Sequence, residues 1–322
     1  MFSSWRNGKR NRSRNRTPVR RRPSSPAASW IPAIENGTDD GLFGPGSAVW
    51  AVNGAMPTTI AGICALLIQT LHPGAMAGVH DHSRFEQDAM GRLNGTIRWV
   101  ATTTFGDTEL ARASAQAVQR VHRDIVGDYT DSTGARRPYA ANDPELARWV
   151  HNAFTEAFLG AHLVWGGPIP GGPDQYVREW ARAGELMGVM NPPTSAHELA
   201  EQQDGFVPEL RADERVAAAV RFLRHPSVSP EIRRIYPILF AGAVASLPER
   251  YRRLLGLRRP WWPAVTATRI LLWGMTRVLG STSPSQRSAA GSHRSQAGNC
   301  FSQKVPRSAS SRQIADRFQV RN

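Results

Sequence analysis

At 322 residues with 41% hydrophobic side chains, the chain is long and apolar enough to bury a core, so it is not disordered as a whole. Its net charge of +14 sits at the ends: residues 1–22 hold nine Lys/Arg and no acid, residues 277–322 hold eight and one acid, and residues 23–276 hold 23 basic against 25 acidic side chains. So neutral a body argues against nucleic-acid recognition by it, and two cysteines as far apart as Cys64 and Cys300 argue against a disulfide framework.

The chain begins with RNGKRNRSRNRTPVRRRPSSP and closes near STSPSQRSAAGSHRSQAGNCFSQKVPRSASSRQ. Arg, Ser, Pro, Gly and Asn with few large apolar residues cannot offset the entropy of ordering a backbone. Residues 1–30 and 281–322 are therefore expected to be disordered basic tails. They are either solvated arms or arms that touch anionic lipid or nucleic acid through phosphates. Arg20, Arg21 and Arg22 lead into PSSPAASWIPAIENGTDD and not into an apolar run, so no secretory signal is read. Cytoplasm is the expected compartment, with membrane association as a variant of it.

The first strongly apolar segment, TIAGICALLIQTLHPGAMAGV, is interrupted by Gln69, His72 and Pro73. Its run from Ile60 to Ile68 is too short to cross a bilayer, and a buried helix over 58–71 is expected. Next comes HPGAMAGVHDHSRFEQDAMGRLNGT, residues 72–96, with three of the nine histidines. His72 precedes Pro73 and so marks a helix end; His80, Asp81 and His82 are expected in the connection, and a helix over 85–104 follows. Arg92 and Thr96 lie four apart, on one face, where in a dry pocket they could both donate to dioxygen. An exposed pair is the alternative. A metal site from His80, His82 and Asp81 or Glu86 competes, but it lacks a further ligand at helical spacing.

From Asp107, DTELARASAQAVQRVHRDIVG places Leu110, Ser114, Ala117, Val121 and Ile125 at steps of three and four, which predicts a helix with one apolar face. His122 flanks that stripe beside Val118, Ile125 and Val126, and is expected to project into a core cleft. A neutral imidazole there suits a haem ligand, with Arg120 and Arg123 able to pair with the propionates; a core histidine bonded to a carbonyl is the alternative. From Asp143, DPELARWVHNAFTEAFLGAH has an N-cap Asp, Pro144 at the first helical position and Glu145 in the first turn. His151 on that helix is a second ligand, a distal group or a donor that orients another.

Further helices are predicted at 173–190, 195–203, 211–224, 230–246 and 262–279. Across the last two, the apolar segments 235–247 and 261–280 are short or broken by Pro263 and Arg269, and with the arginines between them they could rest on a membrane surface. Strand alternation is weak, and there is no G-x-S-x-G, P-loop, Rossmann glycine pattern or Cys cluster. The fold class that follows is all-α, one helical domain between disordered ends.

Taken together, LFGPGSAVW, LLIQTLHPGAMAGVHDHSRF, GRLNGTIRWVATTTFGD, VQRVHRDIVG, RRPYAANDPELARWVH and NPPTSAHEL resemble the family of the latex-clearing rubber oxygenases and the MpaB-type oxygenase of mycophenolic acid biosynthesis. The resemblance runs in order over 42–279. It implies a globin-like helical core holding haem b with its iron, and oxygenase chemistry with dioxygen on a small apolar, often isoprenoid, substrate. Arg92 and Thr96 match that family's R-x-x-x-T motif. His122 becomes the candidate axial ligand, with His151 in reserve and Arg123 beside the cofactor, while Trp99, Phe105 and Phe158 are expected to line an apolar pocket. One departure stands out: the rubber oxygenases carry a lysine immediately before that threonine, and here it is Gly95. The body contains no lysine, so a lysine-capped iron is impossible and a smaller lipid-like substrate is implied. A haem- or lipid-binding protein without turnover is the alternative.

Overall fold

Short polar side chains set the helix starts. Asp107 accepts the backbone N–H of Leu110, Asp143 those of Glu145 and Leu146, Ser195 that of Glu198 and Asp213 that of Val216. Each satisfies a donor that the first helical turn leaves without an internal partner. The computed structural model describes residues 30–82 and 89–279. In chain order the helices are α1 (Ile31–Glu35), α2 (Ala48–Asn53), α3 (Thr58–Gln69), α4 (Pro73–His82), α5 (Ala89–Phe105), α6 (Thr108–His122), α7 (Pro144–Trp165), α8 (Gly172–Leu186), α9 (Ala196–Phe206), α10 (Glu214–Arg224), α11 (Pro230–Ser246), α12 (Glu249–Leu254) and α13 (Trp262–Leu279). The all-α expectation holds.

The central helix is α7. Every residue from His151 to His162 on it is buried, which requires neighbours on all sides. They are α3, α8, α9 and α11, while α5 packs on α6, α2 on α8 and α13 on α11. Cys64, on α3, is buried and donates its thiol to the Ala243 carbonyl at 3.0 Å.

Two local differences from the sequence reading have clear causes. First, β1 (Val126–Thr130) and β2 (Arg136–Ala140) form an antiparallel hairpin with Val126 opposite Ala140. Its strands carry too few apolar residues to alternate visibly, and the turn does the specifying. The Asp131 carboxylate accepts from Thr133 N, Thr133 Oγ1 and Ala135 N, and Gly134 takes φ +92°, a conformation that favours glycine. Second, His80, Asp81 and His82 belong to α4 and not to a connection. The imidazole of His72 substitutes for the usual capping oxygen: its Nδ1 accepts from Gly74 N at 3.1 Å and Ala75 N at 3.4 Å, with Pro73 next in line. Helix α4 thus starts where an ordinary reading of His-Pro stops one.

Among the described residues no single helix is long and apolar enough to cross a membrane. Helix α3 and Pro73–Val79 reach that length only together, across a 110° bend.

Candidate functional site

Three described histidines are buried, and their ring nitrogens separate them. At the α3–α4 junction both nitrogens of His72 are engaged. Nδ1 is the cap acceptor, so Nε2 carries the hydrogen and donates to Glu209 Oε2 at 3.3 Å. Trp149 and Tyr129 surround the ring at 5.8 and 6.2 Å between centroids. Burial lowers its pKa against the opposing pull of Glu209. This histidine is a structural cap.

His162, near the end of α7, makes one bond, from Nε2–H to the Gly167 carbonyl at 3.1 Å. Its Nδ1 is buried without a hydrogen-bond partner, and burial lowers its pKa.

His151 also leaves one nitrogen open, deeper in the core. It lies in the first buried turn of α7 with Nε2 shielded from solvent and without a hydrogen-bond partner. Burial alone pushes its pKa down to about 4, so the ring is neutral at physiological pH. It rests on Gly184 of α8, where an added Cβ would come within 2.9 Å of the imidazole. One turn onward begins an aromatic layer between α5, α7 and α8: Phe154 stacks on Phe158 at 3.8 Å and on Trp180 at 5.2 Å, and Trp99 meets Phe154 edge-on at 6.3 Å. The indole N–H groups of Trp99 and Trp180 are also buried without hydrogen-bond partners. Native interiors rarely leave such groups unpaired.

His122 differs from its expectation. It is the last residue of α6 and half-buried, and its neighbour Val121 is 64% exposed. The core-facing residues of α6 are Ala111 and Ala115; beyond them the chain leaves for the hairpin, so the apolar stripe stops short of His122. Its neighbours Arg120 and Arg123, though not His122 itself, line an open surface cavity of about 450 Å³ with Gln119, Asn142, Met187 and Gly188. Gln119 ties the wall together, donating to the Leu186 carbonyl and accepting from Asn142 Nδ2, both at 3.0 Å. The two arginines expected to hold carboxylates thus border one cavity.

Arg92 lies on α5 with its side chain outside the described residues, and Thr96 is exposed on the same helix. The dry setting expected for Thr96 is therefore not found. Nor do Trp99, Phe105 and Phe158 line one pocket. Phe105 packs edge-on against Trp50 at 5.1 Å in a small cluster with Ile34 and Ala101, whereas Trp99 and Phe158 belong to the main core. The side chains of His80, Asp81, His82 and Glu86 lie outside the described residues, and among those described no three His, Cys, Asp or Glu groups could hold a metal ion.

One cluster escaped the sequence reading. Glu156, deep on α7, accepts from Gln203 Nε2 at 3.0 Å and from Arg250 Nη2 at 3.1 and 3.3 Å. Arg250 also reaches Tyr251 and Asp204. An acid inside the apolar run AFTEAF was the available signal. Its oxygens are occupied by these donors, which makes it a tie between α7, α9 and α12.

The fit of a haem can be tested on these groups. It requires a neutral imidazole nitrogen without a competing partner, which His151 has, and cations for its carboxylates, which Arg120 and Arg123 could supply. Each requirement has its residues, but neither His151 nor His122 is among those lining the cavity of Arg120 and Arg123, so the ligand and the cations are not brought together at one site. In comparisons with known proteins, the family model described as "ER-bound oxygenase mpaB/B'/Rubber oxygenase, catalytic domain" matches residues 50–281. No curated protein and no solved structure matches.

Proposed function

The chain belongs to the ER-bound oxygenase mpaB/B' and rubber oxygenase family, and from that premise we propose a haem b-dependent oxygenase acting with dioxygen on a small apolar, isoprenoid- or lipid-like substrate. The family description supplies the oxygenase; the cofactor, the substrate class and the globin-like arrangement of helices are the proposal. The observation that carries it is the neutral ring of His151, with Nε2 buried and unpartnered, one turn before an aromatic layer.

In this reading His122 is the first candidate for the iron ligand, because it matches the family's histidine motif and stands beside the cavity of Arg120 and Arg123. His151 is the competing ligand, and its unpartnered nitrogen supports it. When bound, the haem supplies the activation of dioxygen, while the protein supplies binding, orientation and exclusion of water. Arg120 and Arg123 would hold the propionates, Arg92 and Thr96 would donate where negative charge develops, and the Trp99–Phe154–Trp180 layer would take apolar substrate.

Gly95 in the place of the rubber oxygenases' lysine, together with an exposed Thr96, favours a second reading, a haem or lipid carrier without turnover. Dioxygen uptake by the haem-loaded protein with an unsaturated terpenoid or fatty-acyl substrate separates the two. Uptake well above that of free haem, accompanied by an oxygenated product, is expected; uptake no faster than free haem would leave the carrier.

A further inference from the structure

Helix α13 has one face built for protein and one that is not. Toward the body, Thr268 and Leu272 are buried, and Thr268 donates its hydroxyl to carbonyls at Ala264 (2.9 Å) or Ile238 (3.1 Å). Gly242 on α11 permits this approach, since a Cβ there would come within 2.7 Å of the Thr268 methyl. Away from the body, Trp262, Thr266, Arg269, Ile270, Trp273 and Arg277 follow one another at helical spacing. Trp261 is 73% exposed, Trp262 68%, Ile270 64% and Trp273 60%. Scattered apolar residues on a surface need no explanation, but a stripe of indoles along one helix does.

We propose that this face of α13 is a peripheral membrane-binding surface that lies along an anionic lipid bilayer, with the indoles at the depth of the headgroups. Three observations select that occupant. Tryptophan is the residue whose apolar body and polar N–H suit the membrane–water interface. A guanidinium flanks the indoles: Arg277 lies over Trp273 at 4.7 Å, so its stem covers apolar surface while its charge stays at headgroup level.

The sequence of the helix and its flanks carries one sign of charge. From Arg258 to Ala315 it has nine Lys/Arg and no Asp or Glu, and each such cation near an anionic leaflet adds to its attraction. An acidic protein partner would match the charge but would not need the indoles. The helix lies along the body over about 27 Å at 1.5 Å per residue, so it rests on a bilayer and does not enter one. The inference is independent of the haem reading, because nothing in it requires a cofactor.

Co-sedimentation of the full chain tests it, using vesicles of phosphatidylcholine alone and of phosphatidylcholine with about a third phosphatidylserine. Binding to the anionic vesicles that weakens with salt is expected, and W262A/W273A should lower the partition coefficient by at least about tenfold through lost apolar burial. Ile270→Asn should lower it in the same direction, which guards against a folding defect in the double variant. Removing residues 280–322 should weaken binding less than W262A/W273A does. The proposal is overturned if the full chain ignores anionic vesicles. It is equally overturned if W262A/W273A binds like the parent while the truncated chain does not, or if the chain is a dimer that W262A/W273A turns into a monomer.

Discussion

The α3–α4 junction and the α7–α8 contact each bury a histidine, and they use it in opposite ways. His72 has both ring nitrogens engaged, one by backbone N–H groups and one by Glu209. His151 has Nε2 engaged by nothing in the chain. Burial is common to both, and it is the accounting of hydrogen bonds that marks one as a cap and the other as a candidate ligand. An unpaired buried nitrogen costs stability, and such costs concentrate where a protein binds something.

The largest expected effect is on acid stability. The His151 pKa falls from 6.5 unfolded to about 4 folded, so the unfolded chain binds the extra proton between those values. Stability is thus fully present above pH 6.5 and is lost as pH falls through the folded value, by about 3 kcal/mol. Denaturant titrations from pH 7 to pH 4 should show this slope, and His151→Leu should flatten it; an unchanged slope would mean that His151 is not the buried neutral ring described.

Gly184→Ala comes next. A Cβ placed 2.9 Å from the His151 ring must displace it, at about 2 kcal/mol for overpacking. If His151 faces the cofactor, the absorption spectrum of the haem-loaded variant should change with stability; a stability loss with an identical spectrum would separate the glycine from the cofactor site.

His72→Asn should do less to the cofactor, because Asn keeps an acceptor at the cap and gives up the contact with the partly exposed Glu209 and the ring's packing on Trp149, Tyr129 and Phe206. A loss of about 1–2 kcal/mol is expected, with haem content unchanged. Depletion of haem in this variant would break the comparison outright. Thr96→Ala should be smallest in stability, within about 0.5 kcal/mol for an exposed site. Its dioxygen uptake should nonetheless fall about tenfold if the hydroxyl orients the reacting oxygen, and unaltered uptake would remove Thr96 from the site.

What could be read from sequence followed the chemistry of each signal. Asp143, Pro144 and Glu145 announce α7 because capping is local, and the periods of α11 and α13 are long enough to bound them within the chain as observed. The hairpin was missed because Asp131 and Gly134 specify it through a turn and not through strand pattern. Helix α4 is absent from the sequence reading because imidazole is an uncommon cap. His151 was legible as inward-facing, but its missing hydrogen bond is a tertiary fact that no spacing contains. His122 shows the reverse: an apolar stripe promised burial that the start of the hairpin takes away. The Glu156–Arg250 pair joins residues 94 apart in sequence, beyond the reach of any local pattern.

The most direct test is the absorption spectrum and iron content of the purified chain produced with haem precursor, for the parent and for His122→Ala and His151→Ala. A Soret band with about one iron per chain in the parent, lost in one of the two variants, is the expected result. A colourless parent, or one that carries zinc in place of haem iron, would contradict the account.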